Sequence, residues 1–130
     1  RQYWAVTEGK FQTKKTVYKD RIGRDRHDRR KRVVDSRKGQ SAYTTVTRLK
    51  TFEGASLVNC QLKTGRTHQI RVHLAHHGHA ILGDPLYSHR PASRLMLHAH
   101  TLSFTHPLTL EKVTVKAQSD SFERELATNK

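Results

Sequence analysis

Apolar residues fall in short runs along this chain, and most of those runs alternate with polar positions. Tyr3 to Thr7 has the aromatic and β-branched content of a strand, and Glu8-Gly9 ends it. Tyr43 to Leu49, rich in Thr and Val, and Ala55 to Leu62 flank the turn-like Thr51-Phe52-Glu53-Gly54, which predicts an antiparallel hairpin. Along the second of these strands Ser56, Val58, Cys60 and Leu62 share one face, and Ala55, Leu57, Asn59 and Gln61 the other. Cys60 is therefore expected as a small buried hydrophobe, not a nucleophile. Lys63-Thr64-Gly65 closes the strand, and Thr67 is expected as the N-cap of a helix reaching about His77, with Gly78 as its left-handed stop. Ile70 and Leu74, four apart, would dock that helix on the sheet. Two more strands are expected around Leu95 to Thr105 and Lys112 to Ala117, connected from His106-Pro107. Asp120 to Glu123 has the spacing of a capping box, so a short helix should follow. Strands outnumber helices, which predicts an α+β domain on a mostly antiparallel, mixed sheet with few helices.

The segment from Lys19 to Lys38 breaks this pattern. It holds ten Lys/Arg and four Asp with almost no apolar residue, and it reads as a long surface arm or loop unable to form core. Whether such an arm grips phosphates or is merely solvated is left open by its sequence. The whole chain carries 25 Lys+Arg against 11 Asp+Glu, a formal charge of +14, and so attracts polyanions, whose counterions are released on binding. No amphipathic helix with an aromatic-rich face accompanies that charge, so nucleic acid ranks ahead of an anionic membrane. No run approaches the roughly 20 apolar residues that span a bilayer. One cysteine excludes an internal disulfide framework and fits a reducing, cytoplasmic setting. The 130 residues amount to one domain or a piece of one, and a chain opening on strand-like Arg1-Gln2-Tyr3-Trp4-Ala5-Val6 reads as a truncation.

Functional residue types are densest from Thr64 to Tyr87, TGRTHQIRVHLAHHGHAILGDPLY. Arg66 and Arg71 lie five apart at the start of the expected helix, where both could approach an anionic group. His73 and His77, at i,i+4 with His76 and His79 nearby, raise a metal site. Without an H-E-x-x-H pattern or a cysteine cluster we expect none, and assign His68, His73 and His98 as imidazoles bonded to backbone. Asp84, between Gly83 and Pro85, reads as a turn former bonded to local backbone.

The stretch resembles the signature of RluA-type RNA pseudouridine synthases, in which a G-R-T-H-Q-I-R-V-H core precedes a glycine and a G-D-x-x-Y tail. The core is matched without a gap by Gly65 to His73. Tyr3 and Gly9 match the family's K-x-Y-x-A-x-V-x-G strand, Ile22 to Val34 resembles its I-G-R-D-x-x-x-R-x-x-x-x-V stretch, and Arg94 to Ala99 through His106-Pro107 resembles its R-L-x-L-H-A…H-P element. Arg1 in place of a lysine and Arg26 in place of a frequent proline are departures.

The resemblance implies the C-terminal portion of a pseudouridine synthase catalytic domain over residues 1–130, with a basic arm at about 19–38. It implies isomerisation of uridines in structured ribosomal or transfer RNA, by a monomer and without a cofactor. Tyr3 would pack on the target base, and Arg71 would pair with the catalytic aspartate. Leu97 would line the uracil pocket, with Arg66, His68, Gln69, Arg24, Arg29 and Arg30 on the RNA. The family's aspartate sits in a G-R-L-D-x-x-T-S-G motif ahead of the Tyr3 strand, and no such motif occurs here. The partner of Arg71 is accordingly expected from upstream polypeptide, and these residues alone are expected to be inactive. Two rivals are a non-catalytic basic RNA-binding module and a generic binder such as an OB-fold, in which the G-R-T-H-Q-I-R run has no role.

Overall fold

The computed structural model describes residues 1–92 and 94–99. Its elements are β1 (Gln2–Glu8), β2 (Lys15–Tyr18), β3 (Ile22–Arg24), β4 (Arg32–Val34), β5 (Thr44–Phe52), β6 (Ala55–Leu62), α1 (Gln69–His76) and β7 (Leu97–Ala99). Five strands form one sheet in the order β2-β5-β6-β1-β7, and β3 pairs with β4 in a second, two-stranded sheet. Every described strand pair is antiparallel. The expected α+β architecture is therefore observed.

The β5–β6 hairpin forms as expected, but β5 runs on to Phe52, which pairs with Ala55. Only Glu53 and Gly54 remain for the turn, and Gly54 takes φ +72°, a conformation that a residue without Cβ adopts freely. A register shift between Arg48 and Lys50 leaves Leu49 exposed. β2 was not expected: its Lys15 and Val17 are exposed and only Tyr18 is buried, so a short edge strand leaves little pattern. β7 falls within the strand expected from Leu95. The remainder of that strand, the His106-Pro107 connection, the Lys112 to Ala117 strand and the terminal helix lie outside the described residues.

Two expectations are corrected. Thr67 is not the N-cap. The helix starts one residue later, behind His68 in the left-handed region (φ 57°), with no side-chain cap. Instead the Gln69 side chain reaches back and its Oε1 accepts the Arg66 N–H at 2.9 Å. The C-terminal end is as expected: Gly78 has φ +84°, its N–H donates to Ala75 O, and His79 N–H donates to Leu74 O at 2.8 Å.

The 19–38 arm is not a loop but a β-hairpin, and it does reach a core. Ile22 is buried with Ala42 and Val72, and Val34 and Tyr87 pack against them. Burying one such side chain contributes about 1.5–3 kcal/mol, enough to fasten the base of a small hairpin. The aspartates shape its turns. Asp25 Oδ1 accepts the His27 and Asp28 N–H groups, and Asp35 Oδ1 those of Arg37 and Lys38.

Helix α1 is consequently packed on two sides. Ile70 and Leu74 join the main core with Ala5, Val6, Val46, Val58, Cys60, Ile81, Leu82 and Met96. Val72 faces the hairpin cluster.

Candidate active-site cleft

A cleft of about 280 Å³ opens between the β1–β7 side of the sheet and the 65–71 segment. Tyr3 and Leu97 form one wall. Ala5 pairs with Leu97 and Tyr3 with Ala99, so Tyr3 and Leu97 are diagonal neighbours on one face of adjacent strands. Leu62 and Ile70 add apolar surface, and Arg66, His68, Gln69 and Arg71 complete the opposite side. Among the described residues the lining contains no carboxylate. Six of the nine residues expected at the site thus meet in one concavity.

Arg71 is held by a bidentate pair: Nε donates to Asp84 Oδ2 and Nη2 to Asp84 Oδ1, each at 2.8 Å. The Asp84 side chain is 0% exposed and that of Arg71 15%. Asp84 Oδ1 also accepts the Leu86 N–H at 3.0 Å and the Tyr87 N–H at 3.3 Å, so it is a turn former as expected. Burial pushes the Asp84 carboxyl up, but the Arg71 guanidinium and these two amides outweigh it and hold the group below its ordinary value. Asp84 raises Arg71 in turn. Asp84 thus gives Arg71 one anionic partner from within the chain, in addition to the one expected from outside it. A guanidinium has five N–H donors, however, and those on Nη1 and the far side of Nη2 bond to no described residue.

Tyr87 ties this pair to the hairpin. Its ring lies beneath the Arg71 guanidinium, 5.4 Å from centroid to carbon. Its hydroxyl accepts the Arg32 N–H at 2.7 Å, lies 3.3 Å from Arg32 O, and sits 3.2 Å from His68 Nδ1. Burial first, then the charges of Arg71 and Arg32, lower the His68 pKa, so a neutral imidazole faces the cleft. The left-handed backbone of His68 stores about 1–3 kcal/mol, which the surrounding contacts must over-determine.

Gln69 shapes the cleft wall. Both ends of its buried amide are engaged: Oε1 accepts from the Thr64 hydroxyl and the Arg66 N–H, and Nε2 donates to Tyr43 O and Thr44 Oγ1. Arg66 is anchored through Nε to Ser41 O at 2.7 Å. Arg24 lies apart from this cleft but lines a second one that also contains Arg66. Arg29 and Arg30 line neither. Arg30 pairs with Asp28 at 2.8 Å on the outer turn, its side chain 73% exposed.

The histidine pair considered for a metal does not converge. His73 Nε2 donates to Asp20 O and its Nδ1 accepts from Thr44 Oγ1, both at 2.8 Å, so His73 bonds backbone as expected. Among the described residues Asp20, His76 and His77 do place ligand atoms within 4.8 Å of one another, and none of the three lines the cleft. Arg32, Lys38 and Tyr87 were missed by sequence reasoning. The available signal was only the G-D-x-x-Y tail for Tyr87 and unranked charge for the others.

The fold and the site define an antiparallel α+β domain with an aromatic-walled, cationic cleft. A family model described as RNA pseudouridylate synthase matches residues 1–76. An uncharacterized RNA pseudouridine synthase of Bacillus subtilis, YhcT, is 46% identical over 122 residues, covering 90% of this chain and 40% of that protein. Ribosomal large subunit pseudouridine synthase D of Neisseria meningitidis serogroup A is 39% identical over 124 residues, 85% of this chain and 31% of that protein. The solved structure of human RNA pseudouridylate synthase domain containing 1 superposes with a TM-score of 0.67 at 30% identity, covering 75% of this chain and 46% of that one. The chain belongs to the RNA pseudouridylate synthase family. It spans less than half the length of each of these relatives.

Proposed function

We propose that this chain supplies the base-holding half of an active site that converts uridine to pseudouridine in structured RNA. The observation that carries the reading is the meeting of Tyr3, Leu97 and Arg71 in one cleft. The isomerisation breaks a carbon–nitrogen glycosidic bond and makes a carbon–carbon bond. One ring carbon loses a proton, one ring nitrogen gains one, and nothing is oxidised, so no cofactor is required. The base must first leave its stack, at a cost of a few kcal/mol that stacking on Tyr3 and apolar contact with Leu97 offset. A carboxylate must work at the sugar or ring. The described residues lining the cleft offer none, and Asp84 is engaged in its own buried pair. It is supplied by polypeptide outside residues 1–130, and the unengaged donors of Arg71 keep it ionised and oriented. The protein acts as a monomer in the cytoplasm. Its target is ribosomal or transfer RNA, and the name of the Neisseria relative favours the former.

The test is nucleoside mass spectrometry of unmodified RNA incubated with residues 1–130 alone, or with the protein extended upstream through a G-R-L-D segment. The expected result is turnover from the extended protein only, reduced about 10²-fold or more by Arg71→Ala. Pseudouridine made by residues 1–130 alone would show that no outside carboxylate is needed. Undiminished turnover by Arg71→Ala would remove the cleft from the chemistry. Residues 1–130 alone correspond to the second reading, a basic RNA-binding module, favoured by the lack of a carboxylate among the described lining residues.

A further inference from the structure

The end of α1 gathers titratable side chains that the cleft does not use. Asp20 lies in the link from β2 to β3, His76 is the last helical residue and His77 is the C-cap. Each offers a ligand atom within 4.8 Å of the other two. Adjacent residues on a continuing helix would point roughly 100° apart. His77 has left the helix, at φ −91° and ψ 13°, and its ring centroid comes to 5.0 Å from that of His76.

Two of the three are held by their neighbours. The His77 ring stacks on Tyr18 of β2, with centroids 4.0 Å apart and planes 4° from parallel, and its Nε2 donates to Asp20 Oδ2 at 2.6 Å. The Asp20 backbone is pinned to the helix as well, because its carbonyl accepts from His73 Nε2 at 2.8 Å. His73 is thereby no ligand, since Thr44 Oγ1 holds its Nδ1 and both ring nitrogens are engaged. The histidine inside the helix braces the aspartate, and the adjacent pair at the helix end faces it. His76 is exposed and can turn to meet the other two.

We infer that Asp20, His76 and His77 form a site for a divalent transition-metal ion of the zinc class, clipping the β2–β3 link to the end of α1. Two imidazoles and a carboxylate suit borderline-soft ions such as Zn²⁺, whereas Mg²⁺ and Ca²⁺ take oxygen ligands. At bonds of about 2.0–2.2 Å, donors around a tetrahedral ion stand roughly 3.4 Å apart, so the Asp20–His77 pair opens by less than about 1 Å to admit one. The proton on His77 Nε2 passes through solvent to Nδ1, and the lone pair it leaves takes the ion. Water completes the fourth position. The negative end of the helix macrodipole favours a cation there. The ion joins residues 57 positions apart in sequence and fixes the root of the β3–β4 hairpin. It takes no part in chemistry at Tyr3 and Arg71, and the inference does not depend on the uridine reading.

The experiment is isothermal titration calorimetry of the metal-free chain with zinc chloride in a non-chelating buffer, paired with thermal unfolding. A saturable site for one ion per chain is expected, and zinc at a hundredfold its dissociation constant should raise Tm by about 10 °C. Asp20→Asn keeps the carbonyl that braces His73, and His76→Ala changes an exposed side chain. Each should weaken zinc binding tenfold or more, since losing even a group outside the ligand set costs about 10–100-fold, and should cancel most of the rise in Tm. The double change His27→Ala, His89→Ala, at two exposed histidines elsewhere, should keep both the affinity and the rise. Magnesium chloride in large excess should not displace the zinc. If Asp20→Asn lowers the metal-free Tm, His76→Ala decides alone. Absence of a saturable site would overturn the inference. So would wild-type affinity in His76→Ala, an equal loss in His27→Ala, His89→Ala, or displacement by magnesium.

Discussion

Asp84→Asn is the sharpest probe of how the cleft is held. The substitution keeps shape and a carbonyl oxygen, but puts an N–H pair where the guanidinium now finds an anion at 2.8 Å on both sides. Removing one partner of a buried pair costs about 3–5 kcal/mol, because the remaining charge stays desolvated. Arg71 keeps 15% of its side-chain surface exposed and can recover some hydration, which places the expected loss near 3 kcal/mol at neutral pH. For a chain of this size that is a fall in Tm of about 10 °C. Urea unfolding followed by circular dichroism measures it. The pH dependence has a definite sign. The folded-state pKa of Asp84 lies below 3.8, so its contribution is fully present above that value and lost as pH falls through the folded value. The gap between wild type and Asp84→Asn should therefore close in acid. Equal stability at pH 7 would refute the account of a buried pair that stabilises. Abolished turnover in the extended protein with stability and RNA binding intact would make Asp84 a chemical group and not a positioning residue.

Three further outcomes are expected. Tyr87→Phe removes the acceptor of the Arg32 N–H and the contact to His68, and should loosen β3–β4 by about 1–2 kcal/mol. Hydrogen exchange should show this as faster exchange in β4 with β5 and β6 unaffected, and a uniform change would contradict it. Gly39→Ala forces a Cβ against Asp35 O and should cost about 1–3 kcal/mol in thermal unfolding, whereas a neutral result would mean the hairpin base yields freely. Cys60 is 0% exposed and burial pushes its thiol up to about 12, so alkylating reagents should label it only on unfolding. Rapid labelling of the native chain would place Cys60 outside the core.

Much of the fold was legible because period-two alternation survives wherever one sheet face is buried. β1 and β6 were read nearly residue for residue, as was the Gly78 stop. The hairpin β3–β4 was not, since its apolar content is Ile22, Val33 and Val34 and its partners Ala42, Val72 and Tyr87 come from elsewhere in the chain. Local hydropathy cannot see a core that is assembled from distant residues. The helix start was misplaced for a related reason: Thr67 has the usual chemistry of a cap, but Gln69 caps backwards from inside the helix. At the site, the motif brought Arg71 and Asp84 within one signature while concealing that they pair. They lie thirteen positions apart, and only the fold shows that Asp84 turns inward. Tyr3 and Leu97 come together through strand register, a property of the sheet and not of either strand alone.

The hairpin is fastened at its base and left untouched at its tip. Ile22, Gly39 and the Tyr87 hydroxyl grip the part nearest α1, while residues 26–30 make their polar contacts chiefly with their own turn. Lengthening or rewriting that tip would leave the geometry around Arg71 undisturbed. Under the proposed function, editing those few surface residues would fit the molecule to a different RNA contour while the residues that hold the base stay as they are.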